Sequence, residues 1–155
     1  MSEIRTNEWW RILSNYESSD LVKVRFKDMH GRELNTSKAS EICASITQAR
    51  GYMESANGAG RNVRPLLIYY GVLGLARGLT LFLSKSLREA ALAQAHGLSV
   101  SGWSESLTRE CGSIGDLKIK LNANGTLQQL IHETEHRAFL RNNSSKPRVQ
   151  TQSAS

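Results

Sequence analysis

The stretch from Pro65 to Ser84, PLLIYYGVLGLARGLTLFLS, constrains the fold of this chain more than any other. It is apolar almost all the way round a helix, and its sole formal charge is Arg77. A helix of that character either runs through a protein core or crosses a membrane. Pro65 suits the first turn, where a backbone N–H has no intrahelical partner to lose. Gly74 and Gly78 form a GxxxG pair, a spacing known from membrane helix dimers and useful wherever two helices approach closely. The length is marginal for a span. An Arg near mid-span costs roughly 2.5–3.5 kcal/mol on insertion scales. Glycines at 71, 74 and 78 weaken the apolar transfer further, and no second apolar segment shelters Arg77. The segment therefore reads as the central core helix of a soluble domain, with no membrane partner.

The remaining sequence must supply the layers around that helix. A chain of 155 residues suggests one domain with a tail. Aromatic residues make up only 6% of it, so the core must lean on Leu, Ile, Val and Ala. Cys43 and Cys111 lie far apart with no CxxC, which argues against a disulfide framework and a zinc knuckle. The opening MSEIRTNEWW carries acids and no apolar run, so it does not read as a secretory signal. A reducing cytoplasm is the expected compartment.

Trp9, Trp10, Leu13 and Tyr16 stand close to helical spacing and predict a short first helix with its aromatics inward. Val22, Val24 and Phe26 alternate with Lys23 and Arg25, which predicts a strand ended by a turn at His30-Gly31. Ile42, Ile46, Ala49, Met53 and Ala56 predict a helix from about Ser37, capped by Thr36 or Ser37 and closed by Asn57-Gly58-Ala59-Gly60. The core helix is expected to continue, or restart, through the Ala-rich Leu87–Ala95 and to end at His96-Gly97. Leu98–Trp103 and Leu117–Leu121 alternate as short strands. Asn124-Gly125 forms a turn, and a capping box at Thr126–Gln129 opens a helix to about Arg141. The fold class that results is mainly α: a helical bundle around a central apolar helix (about 65–95) with a small antiparallel β element. Residues 1–141 form the helical domain, and the polar, acid-free 142–155 a disordered tail.

His132-Glu133-Thr134-Glu135-His136 satisfies H-E-x-x-H on a predicted helix. The spacing puts His132 and His136 on one face, as a zinc ion requires, with Glu133 as general base of a metal-dependent hydrolase. Nothing after His136 is His, Asp, Glu or Cys, so no downstream third ligand follows, and a solvated helix face explains the same residues. Arg25 and His30 have the Arg-x4-His spacing by which HEPN ribonucleases present two groups to an RNA phosphate. Here the Arg lies in a strand-like run ahead of a turn, so the spacing reads as chance. No Walker-type phosphate loop and no nucleophile–base arrangement can be assigned, so no catalytic residue and no cofactor is expected.

Arg77 is more informative. A guanidinium stays charged, so inside an apolar helix it needs a carboxylate partner or a water-filled cleft. Candidate acids are Glu41, Glu54 and Asp116. On a helical wheel Arg77 shares a stripe with Tyr70, Gly74 and Ser84. Between Ser55 and Arg88 there are no acids, yet Arg61, Arg64, Arg77, Lys85 and Arg88 all occur. With a formal net charge of +6 for the chain, that balance favours anionic partners.

The run from Arg64 to Gly78, RPLLIYYGVLGLARG, resembles the signature of the YaaC-like proteins of bacteria. A Trp-containing first helix, Gln48-Ala49, His96-Gly97-Leu98 and the Gly125-Thr126 turn agree with it, so the resemblance covers roughly residues 9–131. It implies a mainly helical fold related to HEPN-type bundles, in a family without an established activity. YaaC-like proteins are usually longer, so the chain resembles their N-terminal part.

Three functions are carried forward. The first is a binding domain that recognises RNA, nucleotide or another anion through Arg64, Tyr69, Tyr70, Arg77 and His96. The second is a structural or oligomerisation module that forms a homo-oligomer or docks through the glycine-rich helix. The third is the metal-dependent hydrolase built on His132, Glu133 and His136.

Overall fold

The computed structural model describes residues 2–102, 108 and 117–134. The chain divides into two compact units, Met1–Leu92 and Ala93–Ser155. The first unit holds α1 (Ser2–Leu13), a 3-10 turn (Ser14–Glu17), α2 (Ser19–His30), α3 (Thr36–Gly58), α4 (Arg64–Leu83) and a second 3-10 turn (Glu89–Ala91). The second holds β1 (Leu98–Ser101), β2 (Lys118–Leu121) and α5 (Thr126–Glu133). The fold is mainly helical with a small antiparallel sheet, as the periodicity predicts.

The segment read as a strand is a helix. Val22 and Phe26 are fully buried in α2, while Val24 between them is 56% exposed. Val22, Val24 and Phe26 fit a period of two, but Val22 and Phe26 also stand i, i+4, which is one face of a helix. Gly31, with φ of 65°, closes α2 in the left-handed conformation, its N–H donating to the Lys27 carbonyl. The first helix also differs from expectation, since Trp9 is 61% exposed. Tyr16, on the turn after α1, is the aromatic that packs on the core, edge-on to Phe82.

The α3 helix starts and ends where its pattern places it, but with a different cap. Asn35, one residue before the two hydroxyls expected to cap it, accepts the Lys38 backbone N–H through its side chain at 2.8 Å. The core of the first unit gathers Val22, Phe26, Leu34, Ala39, Ile42, Leu81, Phe82 and Leu92 from α2, α3, the end of α4 and the segment beyond it.

The α4 helix stops at Leu83, twelve residues short of the expected 95. Ser84 is extended, and its carbonyl accepts the Lys38 ammonium. Its hydroxyl accepts the Leu87 N–H, and four residues on Arg88 is fastened to Glu41. These contacts hold 84–88 against α3, and they outweigh the helix preference of the following alanines, a preference of only tenths of a kcal/mol per residue.

In the second unit Leu98 pairs with Leu121 and Val100 with Ile119, antiparallel. Gly97 has φ of 82° and lies so close to Gly125 that a Cβ on Gly125 would sit 2.1 Å from the Gly97 Cα. A side chain at either position would force the two backbones apart. The capping box at Thr126 is not formed: Gly125 is the N-cap and makes no side-chain cap bond. Thr126 is instead buried, its hydroxyl donating to the Ala93 and Ala95 carbonyls, and Gln129 accepts the Ala93 N–H. The predicted tail lies outside the described residues.

Candidate functional site

The α4 helix turns one narrow face inward. Gly71, Gly74 and Gly78 stand i, i+3, i+7 and lie against α3. A Cβ on Gly74 would meet Ala49 Cβ at 3.0 Å and the Ser45 carbonyl at 3.3 Å. One on Gly71 would meet the Met53 side chain at 2.9 Å, and one on Gly78 would meet Ile46 Cδ1 at 2.6 Å. The glycines therefore let neighbouring helices approach closely, as the GxxxG spacing implies, but the neighbour is the chain's own α3.

The opposite face is where α4 departs from a core helix. Val72 is 54% exposed, Leu66 53% and Leu79 43%, and Ile68 and Tyr69 are exposed beside them. Leu73 and Ala76 are half-buried on the same side. By length and composition the helix could cross a membrane, with a mean hydropathy of 1.7, and only 33% of that window is buried. The expectation of a sealed central helix thus holds for its C-terminal turn, where Thr80, Leu81 and Phe82 are buried, and fails for its first four turns.

The candidate binding residues distribute as follows. Arg64 is exposed at the acid-free start of α4. Tyr69 and Tyr70 meet edge to face at 5.2 Å, and Tyr70 also stacks on Tyr52 of α3 at 5.5 Å. Desolvation, with Tyr70 adjacent, pushes the Tyr69 phenol up. Arg77 is half-buried at the flank of the glycine seam. Of the acids considered for it, Glu41 is held by Arg88 and Glu54 pairs with Arg50 at 3.8 Å, while Asp116 is outside the described residues. His96 belongs to the second unit, where its Nδ1 accepts the Leu98 N–H at 3.0 Å. Tyr52 was missed in the sequence because its ring contributes to no periodic apolar pattern of its own.

His132 and Glu133 stand on α5, their side chains 3.8 Å apart; His136 lies outside the described residues. Among the described residues no group of three or more His, Cys, Asp or Glu side chains could hold a metal. Arg25 and His30 do share a helix, contrary to the strand reading. Five residues on a helix separate them by about 140°. His30 is turned inward, Nε2 donating to the Phe82 carbonyl at 2.9 Å and the ring against Phe26, while Arg25 is exposed. The two do not converge on one ligand.

These features define a mainly helical protein with an apolar helix seated on its neighbour by glycines and carrying an exposed aliphatic and tyrosine face. The model of the family described as YaaC-like Protein matches residues 6–151, and the chain belongs to that family. No curated protein and no solved structure matches it.

Proposed function

We propose that the protein is an assembly module whose α4 face pairs with a second copy of the chain. The observation that carries this reading is the exposure of Leu66, Val72 and Leu79 along one side of a helix whose other side is already occupied by α3. Contiguous exposed apolar surface of this kind marks an interaction site. A two-fold pairing places a surface on itself, and most of the surface of a +6 chain resists that through like charge. The α4 stripe carries no charge, so it is where two copies can meet without repulsion. Its 20 residues span about 30 Å, enough for a helix–helix contact along the stripe. Light scattering over a range of concentrations tests it. A mass of two chains is expected, and a strict monomer, or a monomer that instead floats with lipid vesicles, overturns it.

A second reading, recognition of RNA or a nucleotide, is supported by the Tyr52–Tyr70 stack near the acid-free N-terminus of α4. Tyrosine faces accept bases without regard to sequence, and Arg61 and Arg64 supply charge for the backbone. Fluorescence anisotropy with labelled single-stranded RNA at two salt concentrations checks it. Salt-sensitive binding that Tyr70→Ala weakens supports it; equal weak binding by both proteins excludes it.

A further inference from the structure

The outward side of α4 carries a repeat of its own. Pro65, Tyr69, Val72, Ala76, Leu79 and Leu83 follow one another at alternating steps of four and three residues. That is the seven-residue repeat by which one helix seats its side chains between those of another. At 3.6 residues per turn they share a strip about 80° wide, on the side away from Gly71, Gly74 and Gly78. Tyr69, Val72 and Leu79 are exposed on it, Ala76 and Leu83 are half-buried, and Leu66 stands beside it, exposed.

Two copies can meet along this strip with their α4 helices parallel or antiparallel, and side-chain volume separates the two arrangements. A parallel pair sets each residue against itself. Two tyrosines then crowd one layer while two alanines leave another unfilled. An antiparallel pair centred at the level of Gly74 gives every residue of the strip a different counterpart. Tyr69 meets the partner's Leu79, Val72 the partner's Ala76 and Pro65 the partner's Leu83. The smaller layers then lie at the centre and the larger ones on either side. Helices crossing at about 20° need that profile, because they are closest at the crossing. A shift of seven residues either way leaves two positions of the strip on each chain without a counterpart. Charge separates the arrangements in the same sense. A parallel pair puts Arg64, exposed in a first turn that carries no acid, beside the partner's Arg64. The antiparallel pair sets these two about 30 Å apart along the axis.

We propose that the two α4 helices pair antiparallel, in the register that places Tyr69 against the partner's Leu79. The proposal rests on the assembly reading and adds the direction and register of the second copy.

Disulfide mapping tests it on the full chain carrying both Tyr69→Cys and Leu79→Cys. The two positions are about 15 Å apart along one helix, so a bond between them forms only between chains. Mild oxidation and peptide mass analysis should give links between positions 69 and 79, and neither 69 to 69 nor 79 to 79. Bonds made by Cys43 or Cys111 are told apart by peptide mass. A second measurement leaves the strip intact and decides the matter where the two substitutions weaken association. A nitroxide on Leu66→Cys should lie about 24 Å along the axis from its copy, against near contact in a parallel pair. Electron spin resonance reads that separation, against the parent chain treated with the same label. Links of like to like, a paired double variant without 69 to 79 links, or Leu66 labels in near contact overturn the register and leave the assembly reading standing. A parent chain that sediments as a monomer overturns both.

Discussion

Gly78 lies so close to α3 that a Cβ built on it would stand 2.6 Å from Ile46 Cδ1, well inside van der Waals contact. Ile46 is itself buried, so it has little room to withdraw. The pair fixes how near α4 can sit to α3 and which side of α4 is left facing out.

The glycines of the seam should therefore differ in their tolerance of alanine. Alanine gains about 1 kcal/mol of helix propensity over glycine, while overpacking a filled contact costs about 1–3 kcal/mol. At Gly71 the obstacle is the Met53 side chain, which can bend away, so Gly71→Ala should be near neutral. At Gly74 the obstacles include the Ser45 carbonyl and Ala49 Cα, and backbone does not yield. Gly74→Ala and Gly78→Ala should each lose up to about 2 kcal/mol net in urea unfolding. Equal tolerance at all three sites would contradict the seam.

Phe26 and Val24 separate the helix from the strand that the alternation suggests. Phe26→Ala should cost about 3–5 kcal/mol, because it empties a site 1% exposed and edge-on to Phe82. Val24→Asp should change urea stability by less than about 0.5 kcal/mol, as an exposed substitution does. A large loss at Val24 would argue against α2.

What was legible in the sequence follows from where local pattern and tertiary contact agree. Ile42, Ile46, Ala49 and Ala56 recur at helical spacing and are the buried side of α3, so α3 could be read directly. Lys118–Leu121 alternates and forms β2. Val22 to Phe26 could not be read, because three apolar residues at alternate positions satisfy both periods. The end of α4 could not be read either, since it is set by Lys38 and Glu41, residues more than forty positions away. The candidate site was legible in composition and not in orientation. Leu66, Val72 and Leu79 look like core residues in a sequence, and nothing local says that glycines would claim the inward face.

The Glu41–Arg88 pair makes a pH-dependent contribution whose sign is set. Hydrogen bonds from Arg88 hold the Glu41 carboxylate below its ordinary 4.5, against the opposing effect of partial burial. A carboxylate lowered on folding adds stability above its unfolded value and loses it as pH falls through the lowered folded value. The parent should thus exceed Glu41→Gln in urea stability by a constant margin between neutral pH and about 5, and the margin should shrink on further acidification. A margin that stays constant down to acid unfolding would contradict the pairing.

The central claim, that the outward face of α4 meets a second copy, is tested most directly by sedimentation velocity on the parent and on Val72→Glu. Val72 is exposed and away from the glycine seam, so the variant should keep the helical circular dichroism and urea midpoint of the parent. The parent should sediment as two chains and the variant as one, because a carboxylate at that position would be buried without a partner in the pair. A parent that is monomeric at every concentration, or a variant that remains paired, would contradict it.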